Sequence, residues 1–360
     1  MLVKLLQELA VEMPSAVVVL KDRGPLAPRI EALSVPVHCL GVRRSALPGP
    51  TELLRLVHLA REFRPTVVQG WMYHGNLAGW LVSRVVSERP IFAMNVRQTL
   101  YDFARERFLT RRVIKLGAIL SSAADVVVYN SELSARQHEA VGYRPDRRVL
   151  IPNGFDLELL RPDPEARRRI RNEFKLGTAA RIIGHVSRFH PMKDHATLLE
   201  AARLLVSKIG DVTFLLIGNG VTEENAELSA LVRRLNLERH VVFAGERADV
   251  PQIMSAIDLA VSASAWGEGF PNVIGEAMAA GVPCVVTDVG DSAMVVGDCG
   301  RVVPIRDPGA LACAMAEMLE VKDEEKADLA RRARSRIQDH FALDKVAAMY
   351  RVLYQGKRVG

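Results

Sequence analysis

Short apolar runs alternate with longer segments of helical spacing along the whole chain. In the first half, strands are predicted near Ala16–Leu20, Val35–Leu40, Thr66–Gln69, Ile91–Met94, Asp125–Tyr129 and Arg148–Ile151. Helices are predicted between them over Thr51–Phe63, Gly75–Val86, Arg105–Ser122 and Glu132–Val141. The second half repeats the rhythm, with strands at Arg181–Val186, Thr213–Ile217, Val241–Phe243, Leu259–Ser262, Cys284–Val286 and Gly300–Val303. Its helices are predicted from Pro164 to Phe174 and over His195–Leu205, Asn225–Leu235, Asp249–Ala256, Pro308–Leu319, Asp323–His340 and Ala342–Tyr354. This alternation predicts an α/β protein with parallel sheets. The opening is different: Leu2, Val3, Leu5, Leu6, Leu9 and Ala10 recur at helical spacing. A nucleotide-type Rossmann half opens strand, glycine-rich turn, helix. The first strand and its turn are therefore expected to be missing: either Met1 is a truncated or misassigned start, or the domain has lost its first strand, and the first domain is expected to be the less stable of two.

One stretch carries most of the chemistry, Trp266 to Asp288, WGEGFPNVIGEAMAAGVPCVVTD. Glu268 and Glu276 stand eight positions apart around a Gly-Phe-Pro-Asn loop that enters a helix. Pro271 suits the first helical position, Gly281 a left-handed helix end, and Pro283 a stop. Cys284-Val285-Val286 reads as a buried parallel strand. The free N–H groups around Asn272 and Val273, with the positive end of the helix dipole, suit a phosphate or pyrophosphate. A carboxylate accepts two hydrogen bonds from a vicinal diol. Glu268 and Glu276 around such a helix start therefore fit a nucleotide sugar. On spacing alone, a surface-loop Glu and an ordinary helical Glu read equally well.

The full string resembles the signature of the GT-B glycosyltransferases of family 4, an E-G-F/G-x-N-V/P-x-x-E-A-M-A-x-G-x-P-V-V frame. Glu268, Gly269, Phe270, Asn272, Val273, Glu276, Ala277, Met278, Ala279, Gly281, Pro283, Val285 and Val286 match it. The resemblance implies two Rossmann-like domains facing a cleft, with the donor in the second and the acceptor in the first. It implies that Glu276 holds the ribose diol and Glu268 contacts the donor sugar, with Gly269, Phe270, Asn272 and Val273 around the donor. Ile151-Pro152-Asn153-Gly154-Phe155-Asp156 resembles the family's interdomain crossing, and the final helix its segment returning to the first domain. The domains are thus expected at 1–151, 163–338 and a returning helix at 339–360, with a linker over 152–162.

Composition narrows the setting. The chain has 360 residues, long enough for two domains of ordinary size. No apolar run reaches the roughly 18 residues of a membrane span, and the start lacks a signal-peptide pattern. Cys39, Cys284, Cys299 and Cys313 are too dispersed for a metal knuckle. A reduced, cytoplasmic setting is the expectation, with peripheral contact at the inner face of the membrane. Net charge is +6, unevenly placed. Residues 1–150 hold 21 Lys/Arg against 13 Asp/Glu, net +8, and the remainder 27 against 29, net −2. A basic first half with no nucleic-acid motif points to an anionic or lipid-linked saccharide acceptor, or an anionic membrane surface, rather than to nucleic acid.

Other candidates follow strand ends. Arg188 and Lys193, five apart across a loop, can clamp a departing diphosphate. They resemble the family's G-R-x4-K-G element, with Ser187 and Asp194 in the glycine places. A solvated basic loop is the plain alternative. His190 and His195 read as incidental surface residues. Gly218 of Gly-Asn-Gly lets the backbone approach a nucleotide, and by resemblance Arg247 lines the base pocket. Trp71 and His74 follow the strand Thr66–Gln69. By resemblance Trp71 takes the acceptor-side place and His74 is a catalytic candidate, against a capping or packing role. Arg97 heads a basic cluster running through Arg105, Arg107, Arg111, Arg112 and Lys115, interleaved with Phe103 and Phe108, which reads as a solvated helix face or as an acceptor-phosphate and lipid contact. No Asp-x-Asp occurs. The resemblance implies retaining glycosyl transfer with no obligate metal and no cofactor beyond the nucleotide-sugar donor. A nucleotide-sugar 2-epimerase of the same fold, and a truncated inactive nucleotide-binding protein, are the alternatives.

Overall fold

The computed structural model describes residues 1–43, 48–101, 103–177 and 180–357. Internal contacts divide it into two units, one of Met1–Gly154 with the chain from Leu343 onward, the other of Phe155–Ala342. Residues 155–162, expected within a linker, fall inside the second unit. Among the described residues no helix is long and apolar enough to cross a membrane.

The first unit runs α1 (Leu2–Leu9), β1 (Val17–Val19), α2 (Ala27–Glu31), β2 (Val37–Cys39), α3 (Pro50–Phe63), β3 (Val67–Trp71), α4 (Met72–Val85), β4 (Ile91–Val96), α5 (Phe108–Leu120), β5 (Val126–Tyr129), α6 (Glu132–Ala140) and β6 (Arg148–Leu150). Its strands form two sheets, a parallel pair β1-β2 and a parallel four-stranded sheet β3-β4-β5-β6. The β4 and β5 strands are buried on both faces and almost wholly apolar, Asn95 excepted, as a parallel sheet between helix layers requires. Helix α1 lies over both sheets. Leu5 and Leu9 join Ala93, Val126 and Val128, while Val3 and Leu6 pack with Val17, Ile30 and Val35.

The second unit continues with α7 (Pro164–Glu173), β7 (Arg181–Val186), α8 (His195–Val206), β8 (Val212–Ile217), α9 (Ala226–Arg234), β9 (Val241–Gly245), α10 (Val250–Ala256), β10 (Leu259–Ser262), α11 (Asn272–Ala279), β11 (Cys284–Thr287), α12 (Ser292–Val296), β12 (Gly300–Val303), α13 (Pro308–Glu320) and α14 (Asp323–His340). Its sheet is parallel, in the order β12-β11-β10-β7-β8-β9. Strand order reverses between β7 and β10, and ligands of open α/β sheets bind beyond the carboxyl ends of the strands at that switch. The last helix, α15 (Leu343–Tyr354), belongs to the first unit, where Val346, Ala347 and Tyr350 pack against β4 and β5.

Every predicted strand is present, with ends moved by at most two residues. Helices α2 and α12, five residues each, were not predicted, because one turn and a half sets no period. Helix α4 starts at Met72, not Gly75, through a left-handed Met72 (φ 61°) that no residue pattern announces. Helix α5 starts at Phe108, not Arg105, because residues 103–105 form a separate 3-10 turn.

Candidate active site

The carboxyl ends of β7, β8 and β10 converge in the second unit. Ser187 N–H donates to the Ile217 carbonyl (2.8 Å) and Gly218 N–H to the Gly245 carbonyl (2.7 Å). Gly218 has φ 148°, and a Cβ there would lie 2.0 Å from the Ser187 carbonyl oxygen, so only glycine fits. A cavity of about 580 Å³ opens at this edge, lined by Arg188, Lys193, Gly218, Arg247, Glu268 and Val273 among others.

Lys193 and Glu268 form an ion pair, with side chains 19% and 13% exposed. Ser264 Oγ donates to the same Glu268 oxygen (2.7 Å), and Thr287 Oγ1 donates to the Ser264 carbonyl (2.6 Å). The glutamate is thus fixed from the end of β10, which is braced in turn by β11. Beside it starts α11. Pro271 is its N-cap in extended conformation (ψ 94°) rather than its first helical residue, and Pro271 offers no side-chain cap. Val273, in the first turn of the helix, lines the cavity, so the positive end of the helix dipole lies at its edge. Asn272 is exposed and Glu276 half-buried one turn on, on the same helix face. Gly281 closes the segment with φ 75°.

Several predicted roles change. The ring of Phe270 is buried and packs on Phe155 and Phe341 with centroids 6.1 Å and 5.5 Å apart, so the ring anchors the loop from the core. Arg247 lines the cavity, but its guanidinium donates to both carboxylate oxygens of Asp249 (2.8 Å each) and to Glu173, over the Phe174 ring. These hydrogen bonds, Asp249 first and Glu173 next, hold its pKa above the usual arginine value. Its charge is spent on holding the cavity wall.

His195 is the clearest miss. It is buried, not a surface residue, and shares a chain of hydrogen bonds with His185 and Ser187 under the Arg188 loop. His185 Nδ1–H donates to the Val261 carbonyl (2.8 Å), so its Nε2 accepts from the Ser187 hydroxyl (2.8 Å). Ser187 then accepts from His195 Nε2–H (3.3 Å), and His195 Nδ1 is buried with no hydrogen-bond partner. Burial pushes His185 down to about 4 and His195 down to about 3, the Lys193 charge adding to both. Both imidazoles are neutral, and the tautomers follow from the chain. Reading Ser187 as a replaced glycine gave no hint of its two ring partners.

In the first unit, Trp71 ends β3 and His74 lies exposed in the first turn of α4. Arg97 sits over the Trp71 ring (5.4 Å) and donates to Tyr350 Oη (2.9 Å) and to Asn153. The catalytic candidate His74 and the two predicted acceptor-side residues, Trp71 and Arg97, thus share one end of the four-stranded sheet.

The sequence pattern described as Glycosyltransferase Family 4 matches residues 2–159, and that described as Glycosyl transferases group 1 matches residues 180–321. A phosphatidyl-myo-inositol mannosyltransferase of Mycobacterium leprae is 31% identical over 328 residues, 84% of this chain and 80% of that protein. The chain belongs to glycosyltransferase family 4. An N-acetyl-alpha-D-glucosaminyl L-malate synthase of Bacillus anthracis is 30% identical over 189 residues, 52% of this chain, and the match spans about half of that relative, 48%. Anabaena HepE, solved with UDP, superposes with a TM-score of 0.86 at 24% identity, over 99% of this chain and 95% of that one. The fold of this family member is therefore GT-B, with one four-stranded and one six-stranded parallel sheet.

Proposed function

We propose that this protein transfers a glycosyl unit from a nucleotide-sugar donor to an acceptor hydroxyl with retention at the anomeric carbon, in cell-surface polysaccharide or glycolipid synthesis. The observation that carries this reading is the Lys193–Glu268 pair set at the β7/β10 switch point beside the N-terminal end of α11. An arriving diphosphate offers Lys193 a stronger, doubly charged partner, and Arg188 and the α11 N–H groups complete the anion clamp. Glu268, released from the lysine and still held by Ser264, then faces the sugar. Glu276 accepts from the ribose hydroxyls. Fixed cations next to the leaving diphosphate stabilise its charge as the glycosidic bond opens, and the acceptor hydroxyl attacks on the face from which the diphosphate departs. His74, Trp71 and Arg97 are assigned to the acceptor side.

The test is turnover of UDP-, GDP-, ADP- and dTDP-sugars with and without an acceptor, UDP-glucose first, because HepE was also solved with it. Acceptor-dependent release of nucleoside diphosphate is expected, unchanged by EDTA. Conversion of the sugar without acceptor supports a 2-epimerase and overturns the transferase reading. Loss with EDTA, restored by Mg²⁺ or Mn²⁺, removes the role given to the fixed cations.

The acceptor is lipid-linked in this reading. Helix α5 exposes Phe108, Leu109, Leu116 and Ile119 on the face that also carries Arg112 and Lys115, and it contains no acidic residue. Apolar residues among basic ones on one helix face suit an anionic membrane surface. The M. leprae relative acts on a phosphatidylinositol lipid by its name. Binding to phosphatidylglycerol vesicles is expected, weakened at least about tenfold by Leu116→Glu with Ile119→Glu. Equal sedimentation of the double variant with vesicles would reject this face.

A further inference from the structure

Arg188 and Lys193 lie near the two ends of one loop, residues 188–194, between β7 and α8. The residues that flank this loop meet each other. Ser187, just before it, accepts from Nε2–H of His195, just after it and the first residue of α8 (3.3 Å). Ser187 donates in turn to His185 Nε2 (2.8 Å), and His185 Nδ1–H donates to the Val261 carbonyl of β10 (2.8 Å). One chain of hydrogen bonds thus ties the start of α8 to β7 and to β10, the strand that leads to Glu268. Within the loop, Phe189 N–H donates to the Asn219 carbonyl (2.8 Å), Lys193 N–H donates to the His190 carbonyl (2.9 Å), and the Met192 carbonyl accepts from Ala265 N–H (2.8 Å). The Phe189 ring packs on the His195 imidazole, with centroids 5.3 Å apart. Asp194 ends the loop in a left-handed conformation (φ 47°) and accepts from Thr197 N–H (3.2 Å), capping α8.

Stability alone does not call for three polar side chains here. His185, Ser187 and His195 are all buried, and replacing hydrogen-bonded partners in a core by apolar groups of the same shape is close to neutral. What a directed polar chain adds is a single arrangement, where an apolar core admits several. A loop closed at its base by such a bond keeps both of its cations on one aim. We propose that the Ser187–His195 bond is a clasp that aims Arg188 and Lys193 at the donor diphosphate, so that Ser187 and His195 are positioning residues for glycosyl transfer. The inference rests on the function proposed above, and it gives His195 no contact with the substrate. A misaimed cation costs most as charge grows on the departing diphosphate, so the clasp acts on kcat more than on KM.

Two measurements on four variants test this. His195→Gln keeps an N–H donor near the place of Nε2, whereas His195→Asn carries its amide only as far as that of Nδ1. Amide hydrogen exchange at Phe189 and Lys193 follows the loop with no substrate present. It is expected to quicken at least about tenfold in His195→Asn and Ser187→Ala, and to stay near wild type in His195→Gln. Turnover is measured with UDP-glucose, or with whichever of the UDP-, GDP-, ADP- and dTDP-sugars the wild type uses fastest. Its kcat is expected to fall at least about tenfold in His195→Asn and Ser187→Ala, and no more than about threefold in His195→Gln. In a Lys193→Ala background, His195→Asn is expected to cost no more than about threefold further, because a positioning residue acts through the group it positions. Wild-type exchange and kcat in His195→Asn overturn the clasp. An equal loss with and without Lys193, or a His195→Gln as poor as His195→Asn, overturns the positioning role. A wild type that turns over none of these sugars, with loop exchange quickened as expected, overturns the transferase reading and not the clasp.

Discussion

Lys193→Ala is expected to lower kcat/KM for the nucleotide sugar by about 10²–10³-fold and to lower the Tm as well. Two effects act in the same direction. In the function proposed above, the substitution removes a charge-assisted contact to the departing diphosphate, worth roughly 1.5–3 kcal/mol. It also leaves Glu268, largely buried, held by Ser264 but without the Lys193 charge beside it. Lys193→Arg keeps the charge and is expected to lose less. Glu276→Ala is expected to separate the roles, because losing the ribose contact proposed for it, made in ground and transition state alike, raises KM with little change in kcat. Steady-state kinetics with the preferred donor, alongside thermal melts, make the check. Wild-type turnover in Lys193→Ala would place the diphosphate elsewhere.

Stability falls steeply as pH drops below about 6.5. Burial holds His138 down at about 4, and the same cause holds His185 at about 4 and His195 at about 3. His138 Nδ1–H donates to the Ser134 carbonyl (2.7 Å), and its Nε2 accepts from Tyr73 Oη (2.9 Å), so no lone pair remains for a proton. Above pH 7 all three are neutral in folded and unfolded chain, and their titration costs nothing. Between about 6.5 and 4 the unfolded chain takes up protons that the folded chain does not, so stability is lost as pH falls. Each histidine contributes about 1.4 kcal/mol per pH unit in that window. The first unit carries one such group and the second two, so the second should lose stability about twice as fast. Urea unfolding at pH 7.5, 6.0 and 5.0, followed by a probe in each unit, measures it. His195→Phe should flatten the slope in the second unit. A stability independent of pH down to 5 would mean that these rings are charged in the fold.

The parts of this protein that the sequence makes legible are those with a period or a spacing. Parallel strands buried on both faces, such as Cys284–Thr287, show as unbroken apolar runs. The loop-to-helix turn at Pro271 shows through proline and glycine, whose backbone limits are strong. Direction within a loop is not legible: Phe270 sits in the matched string, yet its ring turns to the core and its neighbour Glu268 to the cavity. Burial of polar residues is not legible either. His185 interrupts an apolar strand and Ser187 sits in a glycine place, and only the fold shows that they meet His195 and cancel each other's hydrogen-bonding needs, save one nitrogen. The left-handed Met72 is set by tertiary packing, not by its own preference.

The two places where the backbone passes between the units, 154/155 and 342/343, make the second unit an uninterrupted insert. Its ends adjoin: Phe155 bridges Ala342, and Phe155 N–H donates to the Phe341 carbonyl (2.9 Å). The host's ends adjoin as well, since a Cβ on Gly154 would lie 3.0 Å from Leu343 Cα. A gene segment for 155–342 can thus be excised as a cassette, its neighbours spliced with a linker of one or two residues, and the corresponding segment of another family member grafted into the same seam. Swaps of this kind need register at only one seam, because entry and exit lie side by side.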